Sequence, residues 1–270
     1  MKTASPVAKY VRFEQSGAVA YGLWENEVVR ELSGSIFAGA TPTGREFPLR
    51  QTRFLVPCEP SKVIAVGLNY ASHRVAVESA EGVFVNVAGR PVSSEHPVVF
   101  AKFPSSLIAD GEDIIFPRDA TNVHFEGEMA LVVGRKARNV SVADAHRHVF
   151  GVTICNDLVD REWLLGDLQW FRAKGSDGFG PIGPAIATGL DYGRLRLETR
   201  VNGEVRQSSS TSELVFSPDR ILSFCSQYVT LLPGDVIFTG TPGKTQAVRK
   251  GDRIEVEIEG IGVLRNTVAA

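Results

Sequence analysis

The chain has 270 residues, 43% of them apolar and 22% charged, with a formal net charge of −2. That length buries a sizeable core, enough for one large domain or a large one with a small companion. A balanced charge without a dense Lys/Arg run excludes the footprint of a nucleic-acid binder, and no apolar run approaches the ~18 residues of a membrane span.

The first ten residues lack the apolar segment of a signal peptide. Cys58, Cys155 and Cys225 are odd in number and widely spaced, which suits a reducing compartment better than a disulfide framework. A cytoplasmic protein with neither nucleic acid nor membrane as partner is expected.

In chain order, Ala8 to Phe13, Ala18 to Trp24 and Glu27 to Leu32 read as short strands joined by polar turns, a small β meander. Residues 33–60 are rich in Gly, Pro, Thr and Ser and read as a linker. The division predicted is a small N-terminal β domain with its linker over residues 1–58 and a catalytic domain over 59–270. Lys62 to Val66 reads as a buried strand ending at Gly67, and Pro97 to Phe100 as another. Between them, 72–96 is polar, turn-prone and long enough for a lid that orders on substrate.

Further on, Ser141-Val-Ala-Asp144 resembles a capping box, and Ser217-Pro218 places an N-cap before proline at the first helical position. Asn202-Gly203 is a hairpin signal between two strand patterns. Arg253 to Glu259 alternates as a half-solvated strand, so its glutamates are not read as ligands. The pattern is that of a β-rich α+β protein.

The chemistry gathers elsewhere. Glu126 and Glu128 flank Gly127 ahead of the apolar run Met129 to Val133. On a strand, residues i and i+2 share a face with Cα atoms roughly 6.5–7 Å apart, so two carboxylates there repel and resist desolvation. A divalent cation removes both penalties, and Asp157, after a second apolar stretch, supplies a third carboxylate. An all-oxygen set suits a hard ion such as Mg²⁺, Mn²⁺ or Ca²⁺. The competing reading, an ordinary strand with one polar face, rests on the Glu-x-Glu pair alone.

His73, just past a buried strand, is a candidate general base. Lys174, in the Gly/Pro-rich stretch 174–184, is a candidate partner for an anionic substrate or a developing enolate. Arg161 follows Asp157 by four residues, so one helical turn would bring it to the same site. Thr239 and Thr241, with N–H groups freed by Gly240 and Gly243, would bind a carboxylate.

Taken together and in order, Gly-Leu-Asn-Tyr-x-x-His (67–73), Glu-Gly-Glu (126–128), Asn-Asp-x-x-x-Arg (156–161), Lys-Gly-Ser-Asp (174–177), Val-Asn-Gly-Glu (201–204) and Pro-Gly-Asp-Val-Ile-x-Thr-Gly-Thr-Pro (233–242) resemble the fumarylacetoacetate hydrolase family. The resemblance implies a mixed β-roll catalytic domain and a homodimer. It also implies Mg²⁺, with Mn²⁺ or Ca²⁺ possible, on Glu126, Glu128 and Asp157, and a 2-oxo acid or acylpyruvate substrate. His73 and Lys174 become catalytic, with Glu78 as a stand-in partner for His73. Tyr70, Arg161, Gln207, Gly240 and Thr241 become substrate-binding.

One departure bears on the reaction. Family hydrolases usually carry a glutamate three residues after the histidine, and here that position is Ala76. The leading expectation is a metal-dependent C–C bond hydrolase. A decarboxylase, isomerase or lyase of a 2-oxo acid such as oxaloacetate comes next, and a non-catalytic metabolite binder is the remote alternative.

Overall fold

The structure is a computed structural model that describes residues 6–81 and 95–270. Strand is the commonest regular structure in the described chain, and the helices are short. A mixed 12-stranded sheet forms the backbone of the molecule. At its centre lie Val149–Asn156, Gly127–Val133, Val236–Phe238 and Val63–Gly67, with Val98–Lys102 at one end. A four-stranded antiparallel sheet, Glu204–Ser210, Arg196–Val201, Arg253–Ile258 and Gly262–Thr267, packs beside it.

The central strand Gly127–Val133 is buried along its whole length. Met129, Leu131 and Val133 enter one core with Leu197, Ile254 and Val256, while Ala130 and Val132 enter another with Ile182, Ile186 and Phe238. A strand apolar on both faces shows no alternation, which explains its unbroken hydrophobic run.

The N-terminal meander forms as expected, with strands Ala8–Gln15, Ala18–Glu25 and Val28–Ser33. It is continuous with the large sheet, because Ala8–Gln15 pairs antiparallel with Gly180–Thr188. The linker reading of 33–60 is corrected in part. Thr41–Pro48 is an eight-residue strand paired with Val28–Ser33. It is almost wholly solvent-exposed, so no apolar alternation marks it. Pairing with a neighbour holds it, and local preference does not.

The caps fall where the sequence places them: Ser141 accepts from the Asp144 N–H and Ser217 from the Arg220 N–H. Asn202 (φ 53°) and Gly203 (φ 82°) close the hairpin with the left-handed backbone that its turn requires. The segment read as a turn-prone lid opens instead as a helix, Ala71–Glu81. Its remainder, 82–94, lies outside the described residues.

Candidate active site

Register assembles the carboxylates. In the antiparallel pair, Gly127 faces Asn156 and Glu128 faces Cys155. One step further along the ladder, the Asp157 N–H donates to the Glu126 carbonyl at 2.9 Å. Two strand ends therefore deliver Glu126, Glu128 and Asp157 to one point, all buried, with a ligand oxygen from each within 4.8 Å of the others. Gly127 between them is a packing requirement: a Cβ there would lie 2.1 Å from Thr199 Oγ1. The four-stranded sheet presses directly on its backbone.

Lys174 lies inside this acidic cluster. Its ammonium donates to Glu126 Oε2 at 2.6 Å and to Asp157 Oδ2 and the Asp157 carbonyl at 2.9 Å. Burial pushes its pKa down, but Asp157 and Glu126 more than reverse that, and the net shift is upward. Arg161 is buried with NH1 4.0 Å from Glu126 Oε1. It arrives there without the expected helical turn, since Val159–Asp160 is a short strand and the helix only starts at Arg161.

Glu128 has the environment that a bound cation would relieve most. Burial, then Asp157 and Glu126, raise its carboxyl pKa well above the ordinary range. Lys174 and the Gly240 N–H, donated to Oε2 at 2.7 Å, only partly offset this. A buried carboxylate forced toward protonation by two others is the environment that a hard dication reverses. The donor set therefore fits Mg²⁺ or Mn²⁺.

His73 is buried on the helix Ala71–Glu81, with Nδ1 2.6 Å from the Gly243 carbonyl. A carbonyl only accepts, so Nδ1 carries the proton and Nε2 of the neutral ring is left as the acceptor. Burial lowers the His73 pKa, against an upward pull from Glu126, and so favours that neutral form. The Gly243 N–H donates in turn to Ser72 Oγ at 3.1 Å, so one residue of the 239–243 turn grips the start of the helix twice.

The pocket beside the cluster has a charged side, Glu126, Arg161 and Lys174 with His73 and Thr241, and an apolar side that includes Val77, Phe100, Leu164 and Trp170. A wider concavity around Lys9, Trp24 and Glu25 gathers no acid–base set, so the smaller pocket holds the chemistry.

Several expected contacts are placed differently. Glu78 is exposed on the same helix, one position past the buried Val77, and i+5 from His73 turns it outward. The Gly240 N–H is engaged by Glu128, and the Gly243 N–H by Ser72, instead of facing a substrate. Gln207 is a staple: Oε1 accepts from the Gly127 N–H, and Nε2 donates to Thr241 Oγ1 and the Pro242 carbonyl. Thr241 also donates to the Gly127 carbonyl while lining the pocket. Tyr70 is buried, bridged to Leu214, and its hydroxyl pKa is raised by burial and then by Glu128.

Two residues escaped the sequence reading. Lys102 is fully buried, pairs with Asp157 Oδ1 at 2.7 Å and donates to the Lys174 carbonyl. The signal was strand parity, since Lys102 shares the inward face of Val98–Lys102 with Val98 and Phe100. Asn69 ties Phe216 and Thr239 together through its amide, which sets the turn that carries Gly240.

The family described as fumarylacetoacetate (FAA) hydrolase, C-terminal, matches residues 62–269. The chain belongs to the fumarylacetoacetate hydrolase family. A second family, described as Rv2993c-like, N-terminal, matches residues 8–57. Protein Rv2993c of Mycobacterium tuberculosis is 41% identical over 88% of this chain and 87% of its own length. The bovine mitochondrial oxaloacetate tautomerase FAHD2A is 38% identical over 82% of this chain and 71% of its own. The 5-carboxymethyl-2-hydroxymuconate delta-isomerase of Mycobacterium smegmatis superposes with a TM-score of 0.87 at 40% identity, covering 97% of this chain and 99% of that one. The β-rich mixed-sheet fold expected of the family is therefore the fold of this protein. Among the described residues no helix is long and apolar enough to cross a membrane.

Proposed function

We propose that this protein is a divalent-cation-dependent enzyme that moves a proton between the keto and enol forms of a 2-oxo dicarboxylic acid. The observation that carries this reading is the bond from His73 Nδ1 to the Gly243 carbonyl. It leaves a neutral imidazole whose Nε2 is a base and whose other side meets a carbonyl instead of a carboxylate. Water is a poor acid, and an imidazole that deprotonates it gains from a negative charge behind the ring. A carbonyl orients the ring without supplying that charge. A carbon acid next to a polarised keto group asks far less of the base.

Glu126, Glu128 and Asp157 would hold Mg²⁺ or Mn²⁺, and the bound ion would supply Lewis-acid polarisation of the keto oxygen. The chain's own residues do the rest. His73 Nε2 takes the proton from the carbon beside the keto group and delivers it to the oxygen that becomes the enol hydroxyl, and the same transfer run backwards ketonises the enol. Lys174 donates to the oxygen on which negative charge develops. Val77, Phe100, Leu164 and Trp170 cover the reacting carbons and limit water.

Charge balance supports a dianion. Three buried carboxylates face three buried cations, Lys102, Lys174 and Arg161, so a dication leaves the cluster doubly positive. The oxaloacetate tautomerase and the delta-isomerase among the relatives support the same class of reaction.

The test follows enol-oxaloacetate by ultraviolet absorbance, with deuterium exchange at C3 followed by NMR, in Mn²⁺-loaded protein. Accelerated ketonisation and exchange without pyruvate release are expected. Acylpyruvate cleavage without exchange would overturn the reading in favour of C–C hydrolysis, the second reading, which the family's name and the shared enolate support. A homodimer, carried over from the resemblance, and the cytoplasmic setting expected from the cysteine usage and apolar pattern belong to the same proposal, and light scattering tests the first of them.

A further inference from the structure

Two buried lysines share one aspartate, and their contacts differ. Lys174 Nζ has three hydrogens and three acceptors, Glu126 Oε2, Asp157 Oδ2 and the Asp157 carbonyl, so its donors are all engaged. To meet a substrate oxygen it must release one of them. Asp157 is itself buried and its carboxylate bonds Lys174 through Oδ2 alone, so its charge needs a second partner before Lys174 can let go. Lys102 is that partner at Oδ1, 2.7 Å away, on the side opposite the oxygen that Lys174 uses. Lys102 has no such freedom. It is anchored in the sheet, where it faces Val63, and its ammonium also holds the main-chain carbonyl of Lys174. One contact neutralises the aspartate, and the other fixes the lysine's backbone while leaving its side chain mobile.

We propose that Lys102 is a positioning residue that acts through Lys174: by holding Asp157 Oδ1 and the Lys174 carbonyl, it frees the Lys174 ammonium to exchange a carboxylate for a substrate oxygen. This inference rests on the reading above that Lys174 meets the substrate.

The test uses full-length protein loaded with Mn²⁺ and oxalate as a two-oxygen anionic probe that needs no turnover. Mn²⁺ affinity is measured by EPR and oxalate affinity by calorimetry, with kcat and KM measured alongside, in wild type, Lys102→Met, Lys174→Met and the double variant. In Lys102→Met, oxalate affinity and kcat are expected to fall about 10–100-fold, the range seen when a partner of a metal ligand is lost. Mn²⁺ affinity should change much less, and the double variant should be no worse than Lys174→Met alone. Multiplying losses in the double variant, or Mn²⁺ affinity falling in step with oxalate affinity, would overturn the proposal.

Lys102→Gln keeps a donor for the Lys174 carbonyl without the charge and serves where the methionine variant does not fold. Full oxalate affinity in Lys102→Gln would also overturn it. If wild type turns over no 2-oxo acid while the oxalate coupling holds, the functional reading fails and the Lys102–Lys174 assignment stands.

Discussion

His73 Nδ1 lies 2.6 Å from the carbonyl oxygen of Gly243, a residue 170 positions away. That contact fixes the tautomer and makes the neutral ring the working form. Replacing His73 by Gln should lower kcat/KM by roughly 10²–10⁴-fold, the usual contribution of a positioned general base, with Mn²⁺ affinity retained. Because burial lowers the His73 pKa, the acid limb of kcat/KM should fall below the ordinary histidine value of 6.5. A limb above 6.5 in a pH–rate profile would contradict the neutral-base assignment. The stability linkage has the same sign: a depressed histidine pKa means stability is gained as pH rises through the folded value toward 6.5 and is complete above it.

Glu128 gives the opposite sign. Its raised pKa means the ion-free fold binds that proton more tightly than the unfolded chain does. Ion-free stability should therefore decline as pH rises from the unfolded value of 4.5 through the raised one. A dication cancels the effect, and its binding releases protons. The rise in Tm on adding Mn²⁺ should accordingly be larger at about pH 8 than at about pH 6 in differential scanning calorimetry. A pH-independent rise would remove Glu128 from the ligand set.

Glu126→Gln keeps the shape of the site and removes one charge from the carboxylate cluster, so it should abolish Mn²⁺ binding and activity together, as EDTA dialysis should in wild type. Activity that survives both would show that the cluster is not a metal centre.

Gly127→Ala drives a Cβ to 2.1 Å from Thr199 Oγ1 and 3.1 Å from Val256 Cγ1. The expected cost is about 1–3 kcal/mol of stability, as for other overpacked cores. Thr199→Ala on the same background should recover part of it in denaturant melts. An unchanged midpoint would mean that the two sheets yield at this point.

Glu78→Gln should leave kcat/KM within about twofold of wild type, because the side chain is an exposed one away from the pocket. A large loss would restore the His–Glu pairing expected from the sequence.

The carboxylate set was legible from local sequence alone. Glu126 and Glu128 share a face because strands repeat every two residues, and unbroken apolar runs mark two strands buried on both faces, each ending in acid. Equally legible were the caps at Ser141 and Ser217 and the turn at Asn202-Gly203, all of which depend on contacts a few residues apart. Lys102 was legible in principle, through its parity with Val98 and Phe100.

The remaining contacts join residues far apart in the chain, so no local pattern announces them. Asp157 reaches Glu126 through a ladder register, His73 meets Gly243 across 170 positions, and Gln207 reaches Gly127 across 80. The strand Thr41–Pro48 has no apolar face to announce it and exists because Val28–Ser33 offers it a partner. Local chemistry named the carboxylate cluster, and long-range packing chose what stands beside the histidine.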